Sequence, residues 1–344
     1  MDTTAYYNSL YANSPGEFAF ATANTKNLVE WQFRFRSKLR TAIGLSTIER
    51  DLANHTPQAE LIHSESLDGY ARELWKLSTE PTLDLPFYLL RPDKQTEPLP
   101  LVVIPHGHNP PHLYVGLYDT DAEKEHIAAG DRDIAVQAVR EGYLALAPTT
   151  RGFGDTRSNG DITEGKLSSC RLQLMHGLLV GRTPIGERVW DMSRLLDWAI
   201  AELNVNTDKI ALTGNSGGGT VTIFTAACDT RFTLAMPGSY FCTFAGSIGS
   251  IFHCDCNYIP GILKLGEMYD VAGLIAPRPF YAINGMQDPI FPIDETRRAY
   301  AYLRSIYKEA GAEEHCRLYE GDGGHRFYKE GAWPFVREHF SDSL

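Results

Sequence analysis

The sequence predicts an α/β fold: a mainly parallel central sheet with helices on both faces, preceded by a helical N-terminal extension. Three observations carry this. Short apolar runs of the kind buried on both faces of a sheet, LPLVVI at 99–104, YLALA at 143–147 and PFYAIN at 279–284, alternate with segments of helical period. KIALTGNSGGGT at 209–220 joins such a strand to a glycine-crowded turn and the start of a helix. Upstream, LVEWQFRFRSKLRTAIGL at 28–45 repeats apolar residues at three- and four-residue steps.

In chain order, residues 1–64 are expected to form the extension, packed on a catalytic domain of residues 65–344. Leu28, Trp31, Phe35, Leu39 and Ile43 make one apolar helical face, with Arg34, Arg36, Lys38 and Arg40 elsewhere. That reads as a helix docked on the main domain, a basic membrane-surface helix being the alternative. Leu74–Leu77 and Leu85–Leu90 flank the turn-prone STEPTLD and predict an antiparallel hairpin. The strand at 99–104 runs into the histidine-rich loop PHGHNPPH, and the strand at 143–147 runs into Arg151-Gly152-Phe153-Gly154. Ile185–Leu203 predicts a strong helix on which Asp191, Arg194 and Asp197 pair with one another. Residues 238–268, rich in Gly, Ser, Cys and aromatics without period, predict an excursion covering the mouth of the site. Further strands at 279–284 and 315–319 exit into GMQDPIFP and GDGGH.

A chain of 344 residues with 43% hydrophobic and 22% charged residues has the composition of an ordinary globular protein. Its formal net charge of −11 argues against nucleic acid and anionic membranes as partners and for a small-molecule substrate. The six cysteines show no framework spacing, the start lacks a signal pattern, and no run is long enough to span a bilayer. A cytoplasmic protein is expected, with a secreted mature form as the alternative; a homo-oligomer is left open.

The chemistry centres on Gly214-x-Ser216-x-Gly218, a strand-turn-helix pattern that exposes a serine hydroxyl. The alternative is an ordinary Gly-rich turn. The Gly217 amide, at the helix start, can receive an oxyanion, and a second amide from His108 or Gly107 can join it. A serine needs a base, usually an imidazole held by a carboxylate. Asp288, following a strand, is the acid, with Asp294 as rival; His325, in the Gly-rich exit of the last strand, is the base. Neither His106/His108/His112 nor His253-Cys254-Asp255-Cys256 is read as a metal site. The first is irregular and lacks acidic partners; the second offers a C-x-C without a matching pair. No cofactor is expected. Phe153, Tyr240, Phe241 and Tyr258 are candidate substrate contacts.

These motifs, HGH at 106–108, RGFG at 151–154, GNSGGG at 214–219, LIAPRPFYAINGMQDPIFP at 274–292 and GDGGHRF at 321–327, resemble the α/β-hydrolase superfamily over roughly residues 75–340. Within it the chain is similar to the dienelactone hydrolase and acetyl xylan esterase-like branches. It differs from the latter's R-G-Q motif at Phe153 and has Arg326 after His325; it carries serine where dienelactone hydrolases proper use cysteine. The resemblance implies an α/β-hydrolase fold and carboxylic ester hydrolysis by Ser216, His325 and Asp288 through an acyl-enzyme, on short-chain or acetyl esters. A serine peptidase of the prolyl oligopeptidase type and a non-catalytic binding protein of the same fold are the alternative functions.

Overall fold

The computed structural model describes residues 2–14, 16–22, 27–93 and 97–341. Nine strands form one sheet: β1 (Ala59–Leu67), β2 (Tyr70–Glu80), β3 (Leu83–Pro92), β4 (Leu99–Val103), β5 (Leu144–Pro148), β6 (Val205–Asn215), β7 (Leu234–Gly238), β8 (Phe280–Gly285) and β9 (Cys316–Gly321). Their spatial order is β1-β2-β3-β5-β4-β6-β7-β8-β9. The first three are antiparallel to their neighbours, whereas β5, β4, β6, β7, β8 and β9 run parallel. This is the α/β-hydrolase fold that the sequence predicts.

The central strands read as continuous apolar runs because both faces are covered. Leu101 and Val103, Leu144 and Leu146, Ile210 and Leu212 enter one core; the residues between them, Val102, Ala145 and Ala211, enter the other. The chain passes from β4 to β5 on one side and returns to β6 on the other. The loops leaving β4 and β6 therefore border the crevice where strand order reverses, the place where open α/β sheets bind ligands.

The sheet starts at Ala59, so the extension's last helix, Leu45–Asp51, ends well before the expected boundary at residue 64. Helix Leu28–Ala42 lies on the first core through Trp31, Phe35 and Leu39. Two of its basic residues, Arg36 and Arg40, reach into the main domain. Arg36 donates to the carbonyls of Ala227 (2.8 Å) and Leu274 (2.8 Å), and Arg40 donates to that of Cys228 (3.0 Å). These carbonyls include the C-terminal end of helix Gly217–Cys228, where a cation opposes the negative end of the helix dipole. Among the described residues, no helix is long and apolar enough to cross a membrane.

Asp191 does not pair along its own helix, Pro184–Glu202. It accepts from Arg151 Nε (3.0 Å) and Nη2 (2.6 Å), beside Glu80, which bonds Arg151 and also Arg182 (2.8 Å). Burial works against the Arg151 charge, but Asp191 holds its pKa above the ordinary value. Arg194 does pair with Asp197, at 2.8 Å.

Candidate active site

Ser216 stands between β6 and helix Gly217–Cys228 at φ 58° and ψ −119°, a conformation that costs a non-glycine residue energy and turns its side chain out of both elements. The flanking glycines make the turn possible. A Cβ on Gly214 would stand 2.2 Å, and one on Gly218 2.1 Å, from the Pro105 carbonyl oxygen at the end of β4. Any side chain at either position would push β4 away from the elbow.

The loops after β8 and β9 supply the other two groups. His325 Nδ1 lies 2.7 Å from Asp288 Oδ2, and the Asp288 side chain is wholly buried. The other carboxylate oxygen accepts from the amides of Ile290 (2.8 Å) and Phe291 (3.2 Å), which fixes the plane of the carboxylate. With Asp288 accepting from Nδ1, the imidazole's Nε2 is left as a lone-pair site. The Phe291 ring stacks on His325 at 5.9 Å. Asp294 instead has a side chain 89% exposed and pairs with Arg297. Of the two carboxylates, only Asp288 reaches the imidazole.

Ser216 and His325 line one cavity of about 290 Å³ together with His108, Asn109, Arg132, Ile251, Phe252, His253, Cys254 and Ile290. The described residues show no hydrogen bond between the serine hydroxyl and the imidazole. Such bonds are often long in the absence of substrate and tighten when it binds.

The loop after β4 lies against the elbow: a Cβ on Gly107 would be 3.1 Å from Ser216 Cβ, and one on Gly217 would be 3.1 Å from the His108 ring. The Gly107 amide is already engaged, donating to the Tyr114 hydroxyl at 3.0 Å, which removes it as a candidate oxyanion donor. The amides of Gly217 and His108 have no acceptor among the described residues. His106 is structural. Its Nε2 accepts from the Thr150 amide at 2.8 Å, its Nδ1 donates to the Gly107 carbonyl at 2.6 Å, and burial pushes its pKa down to about 3, so the ring is neutral.

The expected aromatic contacts lie elsewhere. Tyr240 and Phe241 are fully buried in the core, and Tyr258 donates its hydroxyl to the Ile248 carbonyl at 3.2 Å. Phe153 faces a neighbouring cavity of about 340 Å³, which shares His108 and Asn109 with the first. The aromatic that does line the serine cavity is Phe252, 99% exposed at its rim. Arg132, Asn109 and His253 also line it. Sequence reasoning missed all of these as contacts, because helix ends and loops without period give no signal of direction. Burial pushes the His253 pKa down to about 4, which keeps that ring neutral beside His325. Of the 238–268 excursion, residues 251–254 reach the cavity.

A sequence model described as Abhydrolase family matches residues 8–243. A Bacillus subtilis protein named "Putative hydrolase YtaP" is 28% identical over 250 residues, covering 70% of this chain and 77% of that one. Among solved structures, a protein titled a putative acetyl xylan esterase from Bacteroides fragilis superposes with a TM-score of 0.77 at 19% identity, covering 97% of this chain and 84% of that one. An acetyl xylan esterase from a Paenibacillus species gives 0.60 at 19% identity, covering 87% and 94% respectively. At these identities the structural likenesses establish the fold.

Proposed function

The chain belongs to the Abhydrolase family, and from that premise we propose that it hydrolyses small carboxylic esters, with Ser216 as nucleophile, His325 as general base and acid, and Asp288 as the group that positions the imidazole. The observation that carries this reading is the 2.7 Å Asp288–His325 contact at a cavity lined by the elbow serine.

In the first half-reaction His325 Nε2 takes the hydroxyl proton as Ser216 Oγ attacks the ester carbonyl. Asp288 stabilises the imidazolium that forms, and the Gly217 and His108 amides receive the oxyanion. His325 then protonates the departing alcohol. In the second half-reaction the same imidazole activates water, which releases the acid and frees the serine. No step calls for a metal or organic cofactor.

A cavity of about 290 Å³ suits a short acyl group. Two of the structural relatives are named acetyl xylan esterases, which favours acetyl esters, including those of carbohydrates, as the substrate class. Ser216→Ala is the test. Hydrolysis of p-nitrophenyl acetate is expected to fall by at least about 10⁴-fold, the residue being oxyanion stabilisation and binding. Unchanged turnover in the variant overturns the assignment. Both the peptidase and the binding-protein readings predict no release of acetate from acetylated sugars by the parent enzyme.

A further inference from the structure

Beside the serine cavity, three segments far apart in sequence bring His108, Cys170, Cys254 and Cys256 together, with all four candidate ligand atoms within 4.8 Å of one another. His108 comes from the loop after β4, Cys170 opens helix Cys170–Leu179, and in the excursion Cys254 precedes, and Cys256 lies within, the short 3₁₀ turn Asp255–Asn257. The C-x-C pair, which alone is too small a ligand set, thus finds its other two partners in the fold.

We propose that these four residues form a structural zinc site, S₃N in composition, that clamps the loop after β4 to the excursion and to helix Cys170–Leu179. The spacing fits. Tetrahedral zinc with bonds of about 2.3 Å to sulfur and about 2.0 Å to nitrogen separates ligand atoms by roughly 3.5–3.8 Å. Cys256 Sγ lies 3.2 Å from Cys254 Sγ and 3.4 Å from His108 Nε2. Four protein ligands close the coordination shell, which makes the site structural rather than hydrolytic.

Charge gives an independent argument. Arg188, 1% exposed, donates to the Arg151 carbonyl at 3.0 and 3.2 Å, to Gln173 Oε1 at 3.3 Å and to Cys170 Sγ at 3.5 Å. Among the described residues it has no carboxylate within ion-pair distance, and a buried cation without a counterion is costly. One Zn²⁺ with three thiolates and a neutral imidazole carries a net charge of −1 and supplies that counterion. Binding displaces three thiol protons to solvent and changes no oxidation state.

The clamp would hold the backbone that carries the His108 amide, yet its test does not depend on esterase activity. Protein produced with zinc and purified under reducing conditions without chelator is analysed for metal by mass spectrometry. One zinc per chain is expected, in the parent and equally in Ser216→Ala. Replacing zinc by Co²⁺ in the intact protein should give the visible bands of tetrahedral cobalt and a thiolate charge-transfer band. Cys170→Ser and Cys256→Ser should weaken zinc binding by more than about 100-fold, whereas Cys228→Ser, at a buried cysteine outside the cluster, should match the parent. Metal well below one per chain, a cobalt spectrum without thiolate bands, or a Cys254–Cys256 disulfide in the freshly purified protein would overturn the proposal. The cobalt spectrum of the parent decides the matter even if the cysteine variants do not fold.

Discussion

Replacing Asp288 by asparagine separates orientation of the base from all else that the carboxylate does. The side chain is wholly buried and has three partners: the Ile290 and Phe291 amides on Oδ1, and His325 Nδ1 on Oδ2 at 2.7 Å. In Asp288→Asn the amide oxygen can keep both backbone bonds, so the loop and the fold should persist. The new NH₂ then occupies the position of Oδ2 and faces Nδ1, and two donors cannot share that contact. The ring must accept there instead, which places its proton on Nε2, the atom that has to receive the proton of Ser216. The same replacement in a serine protease costs ~10⁴-fold in kcat, about 5.5 kcal/mol of transition-state stabilisation, and a loss of that order is expected here. Asp294→Asn, at a side chain 89% exposed, should change activity by less than about twofold. The assay is steady-state hydrolysis of p-nitrophenyl acetate, with thermal unfolding to confirm that each variant is folded. A folded Asp288→Asn enzyme within about tenfold of the parent, or an Asp294→Asn enzyme with the larger defect, refutes the reasoning.

Arg151→Met should cost about 3–5 kcal/mol of stability by denaturant unfolding, because it strands Asp191, which is fully buried. Adding Asp191→Leu should recover much of that loss, and a single-variant cost below about 1 kcal/mol contradicts the account. In Gly107→Ala the new Cβ would stand 2.5 Å from the Asn215 carbonyl oxygen and 3.1 Å from Ser216 Cβ. The nearer neighbour is a backbone oxygen and cannot swing aside, so the loop and elbow must part and kcat should fall by about 10²-fold or more with little change in KM; parental kcat would count against the oxyanion arrangement. Phe252→Ala, at a side chain 99% exposed on the cavity rim, should leave stability within about 0.5 kcal/mol. Its KM for aryl esters should rise roughly fivefold, corresponding to about 1 kcal/mol of lost apolar contact, and an unchanged KM removes Phe252 from the binding surface.

The parts legible in the sequence are those in which local chemistry and topology coincide. The elbow could be read because Gly214 and Gly218 are forced by backbone approach to Pro105, and because apolar β6 and its helix flank them directly. Asp288 and His325 could be read because parallel strands deliver their exit loops to one rim. Strand β1 could not: it pairs at the sheet edge with no buried residue, so AELIHSESL shows no strand-like apolar alternation. The engagement of the Gly107 amide by Tyr114, the Arg151–Asp191 pair, and the meeting of Cys170 with His108 and the C-x-C pair each depend on segments that only the folded chain brings together. Tyr240 and Phe241 misled because an aromatic in an irregular segment looks alike in sequence whether it faces a ligand or the core.

The measurement that bears most directly on the nucleophile is covalent capture by a fluorophosphonate, followed by intact mass and peptide mapping. One adduct is expected on the parent, at Ser216. It should be absent from Ser216→Ala and form far more slowly in Asp288→Asn. Active enzyme that stays unlabelled, or that carries the adduct at another residue, contradicts the assignment of Ser216 as the attacking group.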